Sequence, residues 1–326
     1  MLKFLLGFKW QKSQAHLLLL SKFLNSHTTK DYEKTVIPWR QLLGEHPKKA
    51  INRFFKEGML NLADLENSLA WRYRVPDLKK MLKERNLPIS GNKSKLISRL
   101  IESDPNGMKE YISGLKILIC SEKGGQVAND YLTMEKEKRL NFEQQVLDAL
   151  QNRNFKEASL LRSSFMAKQL FPGTIGIDWQ DPKSVSAITT YDISALEIIF
   201  TSNPKILKNI NKEWMEYLRL KAAMGYLGAG LSSSVLPPNL ETESVMNIAT
   251  AARMIIFHAR NQVHLAQFRE FGCKSVEIST ANDGVTCEAC QKIGERKYRI
   301  DKVPELPYEK CTSDTGCRCT FLPVIE

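Results

Sequence analysis

Cysteines are the residues whose types and spacing point most directly to chemistry in this 326-residue chain. Five of the seven cysteines lie between Cys287 and Cys319. Cys287 and Cys290 have the CxxC spacing of a zinc knuckle, and three more thiols follow at Cys311, Cys317 and Cys319. A tetrahedral zinc ion takes four such ligands, which leaves no open position for a reactive water molecule. The sequence therefore predicts a structural zinc ion held by thiolates.

Free thiols and disulfides are the alternatives for this cysteine cluster. Disulfides persist in oxidising compartments. The apolar residues at the N-terminus are interrupted by lysines and glutamines, no signal-peptide cleavage site follows them, and no apolar run is long enough to span a membrane. We therefore expect a soluble, cytoplasmic protein in which metal is favoured over disulfides. The sequence leaves open which of Cys311, Cys317 and Cys319 is the extra thiol.

Residue patterns typical of enzyme active sites are weak in this sequence. His258 and His264 are six residues apart and do not share a helical face, and no histidine follows them that could act as the base of a zinc-knuckle nuclease. The central region contains four candidate carboxylates for acid/base catalysis or metal binding, but no pair of them has the spacing that such a site requires. They are Asp178, Asp181, Glu213 and Glu216. We expect a binding protein without catalysis and without a small-molecule substrate. A DNA-processing enzyme with its site in the central region remains the alternative.

Two short amphipathic helices are predicted between Trp71 and Glu102. Pro76 suits the start of the first helix, Asn86 can adopt the left-handed conformation that ends it, and Asn92 can cap the second. The apolar residues recur at helical spacing and should be buried; they are Leu78, Met81, Leu82, Leu96, Ile97, Leu100 and Ile101. The segment should therefore fold as a helical hairpin.

Positive charge is concentrated in and around this hairpin. Residues 1 to 125 contain 23 Lys and Arg against 12 Asp and Glu, whereas the remaining residues contain 24 of each, so the N-terminal part carries the whole net charge of +11. A localised excess of this kind indicates a nucleic acid as the partner. We expect the cations to face water, and Gly91 and the N-terminus of the second helix to approach another phosphate. The expected contact residues are Lys79, Lys80, Lys83, Gly91, Lys93, Lys95 and Arg99.

The hairpin resembles a SAP domain, a small helix-turn-helix module that binds DNA. The resemblance is carried by Val75, Asp77, Leu78, Lys79, Leu82, Leu87, Gly91, Lys93, Leu96, Arg99 and Leu100. Asn86 stands where the family usually has glycine, and asparagine can adopt the same backbone conformation. Modules of this kind sometimes bind proteins, so a protein-interaction scaffold is the second alternative.

Residues 253–324 resemble the C-terminal signature of phage head-morphogenesis (minor head) proteins. The shared features are a CxxC pair, a strand ending at Tyr298, a proline-rich turn, a Cys-Arg-Cys sequence and a final apolar-Pro-Val. The family commonly has a histidine three residues before Cys-x-Cys, where this chain has Asp314, and Cys311 lies three residues upstream. The resemblance implies a role in a phage or prophage head, so a virion-associated location is the alternative to the cytoplasm of a bacterial or phage-infected cell.

The helical periodicity predicts a mainly α, multidomain protein. The expected parts are an N-terminal helical region at 1–70, the SAP-like hairpin at 71–105, a central helical domain at 106–240, and a helix with a small α+β zinc-knuckle module at 241–326. The role of the central domain and the oligomeric state do not follow from the sequence.

Overall fold

The computed structural model describes residues 9–33, 39–171, 177–230, 246–294 and 296–324. It is mainly helical with small antiparallel sheets, which confirms that part of the expected fold class. The chain divides into two compact units, Met1–Lys138 and Arg139–Glu326. No helix among the described residues is both long and apolar enough to cross a membrane.

The first unit begins with three helices, α1 (Gln14–Lys22), α2 (Trp39–Leu43) and α3 (Pro47–Lys56). They pack through fully buried side chains, including Trp10, Leu19, Leu20, Phe23, Ile51 and Phe54. Strand β1 (Leu60–Leu62) pairs antiparallel with β2 (Leu118–Cys120), with Leu60 opposite Cys120. The chain between these two strands forms the helical hairpin and its flanking helices.

Four helices make up this inserted segment: α4 (Leu65–Arg72), α5 (Val75–Glu84), α6 (Lys93–Ser103) and α7 (Pro105–Tyr111). The two expected helices are α5 and α6, and α5 ends at Glu84, beside the expected Arg85. The buried residues form one core, to which α4 contributes Leu69 and α7 contributes Met108. The hairpin is therefore completed by its neighbours on both sides in the sequence.

Helix α8 (Glu122–Gln151) contains the boundary between the two units. The second unit continues with α9 (Phe155–Met166), α10 (Pro182–Thr201), α11 (Lys212–Tyr226) and α12 (Ile248–Glu270). Its largest core includes Val146, Leu150, Leu196, Ile199, Leu218, Ala222, Ile255 and Ala259. The expected domain boundary at residue 240 lies outside the described residues.

A three-stranded sheet and one short helix complete the second unit. The middle strand β3 (Ser275–Ser279) pairs antiparallel with β4 (Lys297–Arg299) and with β5 (Thr320–Pro323), and helix α13 is Glu288–Gly294. Three buried side chains of β3 and β5 belong to the same core as the helices, namely Val276, Ile278 and Phe321. This sheet is the support for the cysteine cluster.

Candidate functional site

The five C-terminal cysteines converge on one small pocket, whose lining includes all of them. Cys287 and Cys290 lie at the start of α13, while the other three come from the loop that leads into β5. The Sγ atoms of Cys287 and Cys311 are 3.7 Å apart, and those of Cys290 and Cys317 are 3.9 Å apart. All five cysteines are free thiols.

These separations are those of a thiolate metal site. With Zn–S bonds of about 2.3 Å, the sulfur atoms of a tetrahedral site are about 3.8 Å apart. Two groups of three thiols have sulfurs within 4.8 Å of one another: one joins Cys287, Cys290 and Cys311, and the other joins Cys290, Cys317 and Cys319. The cluster could therefore hold a metal ion, and Cys290 belongs to both groups.

The electrostatics of the cluster favour thiolate at Cys317 and Cys287, whereas hydrogen bonds with Cys311, Cys317 and Cys319 raise the pKa of Cys290. Hydrogen bonds from Cys290, Cys311 and Cys319 hold the pKa of Cys317 well below its usual range, and the backbone N–H of Tyr308 lies 3.3 Å from the same sulfur. Burial acts to raise the pKa of Cys287, but backbone N–H groups, first that of Thr312, bring it down to about 7. The thiolate is the form that binds metals.

An ion pair joins the two cysteine-bearing segments. Arg318, between Cys317 and Cys319, donates to both carboxylate oxygens of Asp283, at 2.8 and 2.6 Å. These hydrogen bonds place the pKa of Asp283 far below its usual range. Asp283 also accepts a 2.9 Å hydrogen bond from the Thr286 hydroxyl, one residue before Cys287. The ion pair therefore links the segment before Cys287 to the Cys317–Cys319 segment.

Helix α12 holds the loop and strand that carry the last cysteines. The buried Asn261 amide accepts from the backbone N–H of Phe321 at 3.3 Å and donates to the Cys319 carbonyl at 3.4 Å. His258 lies 3.1 Å from the Leu306 carbonyl through Nδ1, and burial lowers its pKa. The sequence reasoning missed Asn261, although a polar amide among the regularly spaced apolar residues of α12 was a visible signal.

The hairpin backbone follows the sequence expectations closely. Asn86 has φ of 56°, in the left-handed region, and Gly91 has φ of 119° in the turn before α6. The Asn92 side chain caps α6 by accepting from the backbone N–H of Lys95 at 3.0 Å. Leu82 and Leu96, from the two helices, are fully buried. Gly91, Asn92 and Lys95, at the start of α6, are exposed.

The hairpin cations fall into two groups. Lys79, Lys80, Lys83 and Lys95 are exposed, in agreement with expectation. The expectation that Lys93 faces water is wrong, because its ammonium donates to the Ala70 carbonyl of α4 at 2.6 Å and its side chain is half-buried.

Arg99 is also partly buried and bound within the hairpin, which corrects its expected placement. Its guanidinium donates to the carbonyls of Pro88 and Ser90, the latter at 3.2 Å. Arg99 therefore holds the turn, as Lys93 holds α4. The sequence could not separate these two residues from the exposed lysines, because all are cations on the polar faces of the helices.

The central carboxylates do not form a common site. Asp178, Glu213 and Glu216 are exposed, and Asp181 caps α10 by accepting from the Ser184 N–H at 2.9 Å. The acidic residue that the sequence reasoning missed is Asp192, which is 1% exposed in the middle of α10. Its carboxylate is bound by three side chains: Ser159 at 2.7 Å, Arg162 at 2.8 Å and Tyr226 at 3.0 Å. This satisfied network joins α9, α10 and α11.

Comparison with known families agrees with the hairpin assignment. Residues 72–105 match the SAP domain model, about a tenth of the chain. SAP is generally a DNA-binding module, which supports the DNA-binding interpretation, and no catalytic family is indicated. No family match supports the resemblance of residues 253–324 to phage head-morphogenesis proteins. Searches of curated proteins and of solved structures find no match to the chain.

Proposed function

We propose that this protein binds duplex DNA without catalysis, through the SAP-like hairpin. The observation that carries the proposal is the coincidence of the SAP match with a group of exposed lysines on a hairpin whose apolar residues are packed inside. The proposed phosphate contacts are the ammonium groups of Lys79, Lys80, Lys83 and Lys95, together with the backbone around Gly91 at the start of α6. Such contacts hold a protein on DNA without reading its base sequence.

Lys93 and Arg99 have a positioning role in this proposal. Lys93 links α6 to α4 through the Ala70 carbonyl, and Arg99 closes the turn through Pro88 and Ser90. These three hydrogen bonds fix the start of α6 relative to α4 and to the turn. Their removal should therefore affect the shape of the DNA-binding surface more than its charge.

The test is the salt dependence of binding to a random-sequence duplex, measured by fluorescence anisotropy. A double variant, Lys79→Gln with Lys83→Gln, should reduce the slope of log K against log salt by about 1.8, since each lost phosphate contact removes about 0.9. The matched control is Lys123→Gln with Lys136→Gln, two exposed lysines of α8. Equal slopes for these two variants would contradict the proposed contacts.

We also propose that the cysteine cluster binds one structural zinc ion. The proposed ligands are Cys287, Cys290 and Cys311, which form one three-thiol group, together with Cys317, whose sulfur is 3.9 Å from that of Cys290. The four sulfurs do not all lie within 4.8 Å of one another, so the ion would draw Cys317 toward the group. Cys319 is then the extra thiol. Elemental analysis of purified protein should give about one zinc per chain, and the absence of a thiol-bound metal would contradict the proposal.

A phage or prophage head is the protein assembly we propose for the C-terminal module. The support is the signature in residues 253–324, together with the approach of Cys311 to Cys287, which supplies a thiol where the family pattern has a histidine. Mass spectrometry of head particles from cells that express the chain tests this proposal. The protein should be enriched in those particles, and its absence from them would exclude the association.

A further inference from the structure

Helix α3 presents a second cationic surface in the first unit, outside the SAP match. Lys48, Asn52 and Lys56 recur every four residues and are exposed along one face, with Lys49 beside Lys48; we call these four residues the α3 face. The opposite face of the helix is fully buried through Ala50, Ile51 and Phe54. The direction in which the α3 face points is therefore fixed by the core.

The charge of the α3 face is poorly neutralised by neighbouring carboxylates. Among the residues that the structure describes, neither Lys48 nor Lys56 has an ion-pair partner. Lys49 lies 3.9 Å from Glu45, whose carboxylate is also bound by Arg53 and, at 3.0 Å, by His16. A shallow pocket follows the face, with one acidic residue, Glu57, in its lining.

The position of two of these lysines opposes the electrostatic preference of the helix. Lys48 and Lys49 stand in the first turn of α3, where the helix dipole is positive, and that turn has no acidic residue. Helix stability alone favours Asp or Glu at such positions. A bound anion would interact favourably with both lysines and with the dipole, so the arrangement suits an anionic ligand better than it suits a solvated surface.

We propose that the α3 face is a second surface that contacts nucleic-acid phosphates. From Lys48 to Lys56 the helix rises about 12 Å. Duplex DNA carries one charge about every 1.7 Å along its axis, so a face of this length meets several phosphates. This inference rests on the proposed DNA binding and extends it beyond the SAP-like hairpin. It also accounts for positive charge in the N-terminal part that the hairpin does not contain.

The experiment compares three double variants of the full chain on the same random duplex between about 50 and 200 mM salt, over which phosphate contacts give a measurable slope. They are Lys48→Gln with Lys56→Gln, the hairpin pair Lys79→Gln with Lys83→Gln, and the α8 control pair Lys123→Gln with Lys136→Gln. Each removes two positive charges. Complete loss of two contacts should reduce the slope for the α3 pair by about 1.8 and its affinity by about 30-fold at 150 mM salt. The melting temperature should not fall, because the change at Lys48 removes a charge that opposes the dipole.

Each outcome has a separate meaning. A reduced slope for both the α3 pair and the hairpin pair supports the inference. A reduced slope for the hairpin pair alone, with the α3 pair equal to the α8 control, overturns the inference and leaves the proposed function intact. Failure of the unmodified chain to bind duplex at any of these salt concentrations overturns both. A reduced slope for the α3 pair alone supports the α3 face and removes the hairpin from the proposed function.

Discussion

The SAP-like hairpin and the cysteine-rich module are both short regions with recognisable sequence patterns, but different interactions hold them together. The hairpin has a small apolar core of its own, in which Leu78, Leu82, Leu96 and Leu100 are fully buried. The cysteine-rich module shares its core with the large helices of the second unit and adds a cluster of five thiols. One pattern encodes a core, and the other encodes a group of ligands.

This difference shows what each kind of pattern requires from the rest of the chain. Apolar periodicity places residues on one side of each helix, so the helices of one short segment supply the whole core, including Leu69 of α4 and Met108 of α7. Cysteine spacing fixes no backbone by itself. In the second unit, α12 holds the Cys319 segment through Asn261, about sixty residues away in the sequence. A ligand pattern therefore needs a platform that the pattern does not contain.

Removal of a central thiol should have the largest effect, and it should affect the cysteine-rich module but not the hairpin. Cys290 belongs to both three-thiol groups, so Cys290→Ser should abolish metal binding whichever group supplies the ligands. Zinc binding stabilises small modules by about 10 kcal/mol or more, so the cysteine-rich module should lose most of its stability. The matched variant is Cys319→Ser, which should keep the metal. Zinc content and thermal unfolding are the measurements, and equal zinc loss in both variants would contradict the proposed ligand set.

Mild acid should also affect the two regions differently. Metal-bound thiolates must be deprotonated, so lowering the pH from 7 to about 5 should release the metal. The hairpin contains no histidine, and the pKa of its Asp104 carboxylate is lowered by hydrogen bonds from the Gly107 N–H and Arg85. A carboxyl group with a lowered folded-state pKa stabilises above its unfolded pKa of about 4 and loses that contribution only below it. DNA binding should therefore survive at pH 5 while zinc is lost, as dialysis and anisotropy would show.

A cavity in the hairpin core should weaken DNA binding and leave zinc binding unchanged. Leu82 is fully buried between the two helices, so Leu82→Ala should destabilise the hairpin by about 3 kcal/mol, through lost burial and the cavity left behind. DNA affinity should fall while zinc content stays unchanged. Leu62→Ala, at an exposed leucine of β1, is the matched control and should change neither quantity. Loss of zinc from the Leu82 variant would show that the two regions depend on each other.

Lys93 and Lys95, at the start of α6, have different expected roles: the first stabilises the hairpin and the second contacts DNA. Lys93→Gln removes a half-buried hydrogen bond to Ala70 and should lower stability by about 1 to 2 kcal/mol, since hydrogen bonds of charged groups are strong. Lys95→Gln, two residues along, should leave the melting temperature unchanged and reduce the salt slope by about 0.9. Denaturant unfolding and anisotropy on both variants measure the two effects. Equal stability of the two variants would show that the Ala70 contact contributes nothing measurable.

The same two regions show how far sequence reasoning extends. In the hairpin, six of the seven expected buried residues, the end of α5 near Arg85 and the caps at Asn86 and Asn92 followed from local preferences, because each concerns contacts within a few residues; Ile101 is only partly buried. The bonds of Lys93 to Ala70 and of Asn261 to Cys319 did not, because they join residues 23 and 58 positions apart and depend on how the helices pack. The buried Asp192 network was missed for the same reason.

The smallest predicted effect concerns the residue where the hairpin departs from the SAP pattern. Asn86 has φ of 56°, a conformation that glycine adopts without strain, asparagine tolerates and alanine disfavours by about 1 kcal/mol. Asn86→Ala should therefore lower hairpin stability by about that amount, whereas Asn86→Gly should leave it unchanged or slightly higher. Hydrogen exchange of the α5 and α6 amides measures this difference within the hairpin. If both variants were equally destabilised, the Asn86 side chain would contribute through a contact, and the departure from glycine would reflect more than a tolerated backbone conformation.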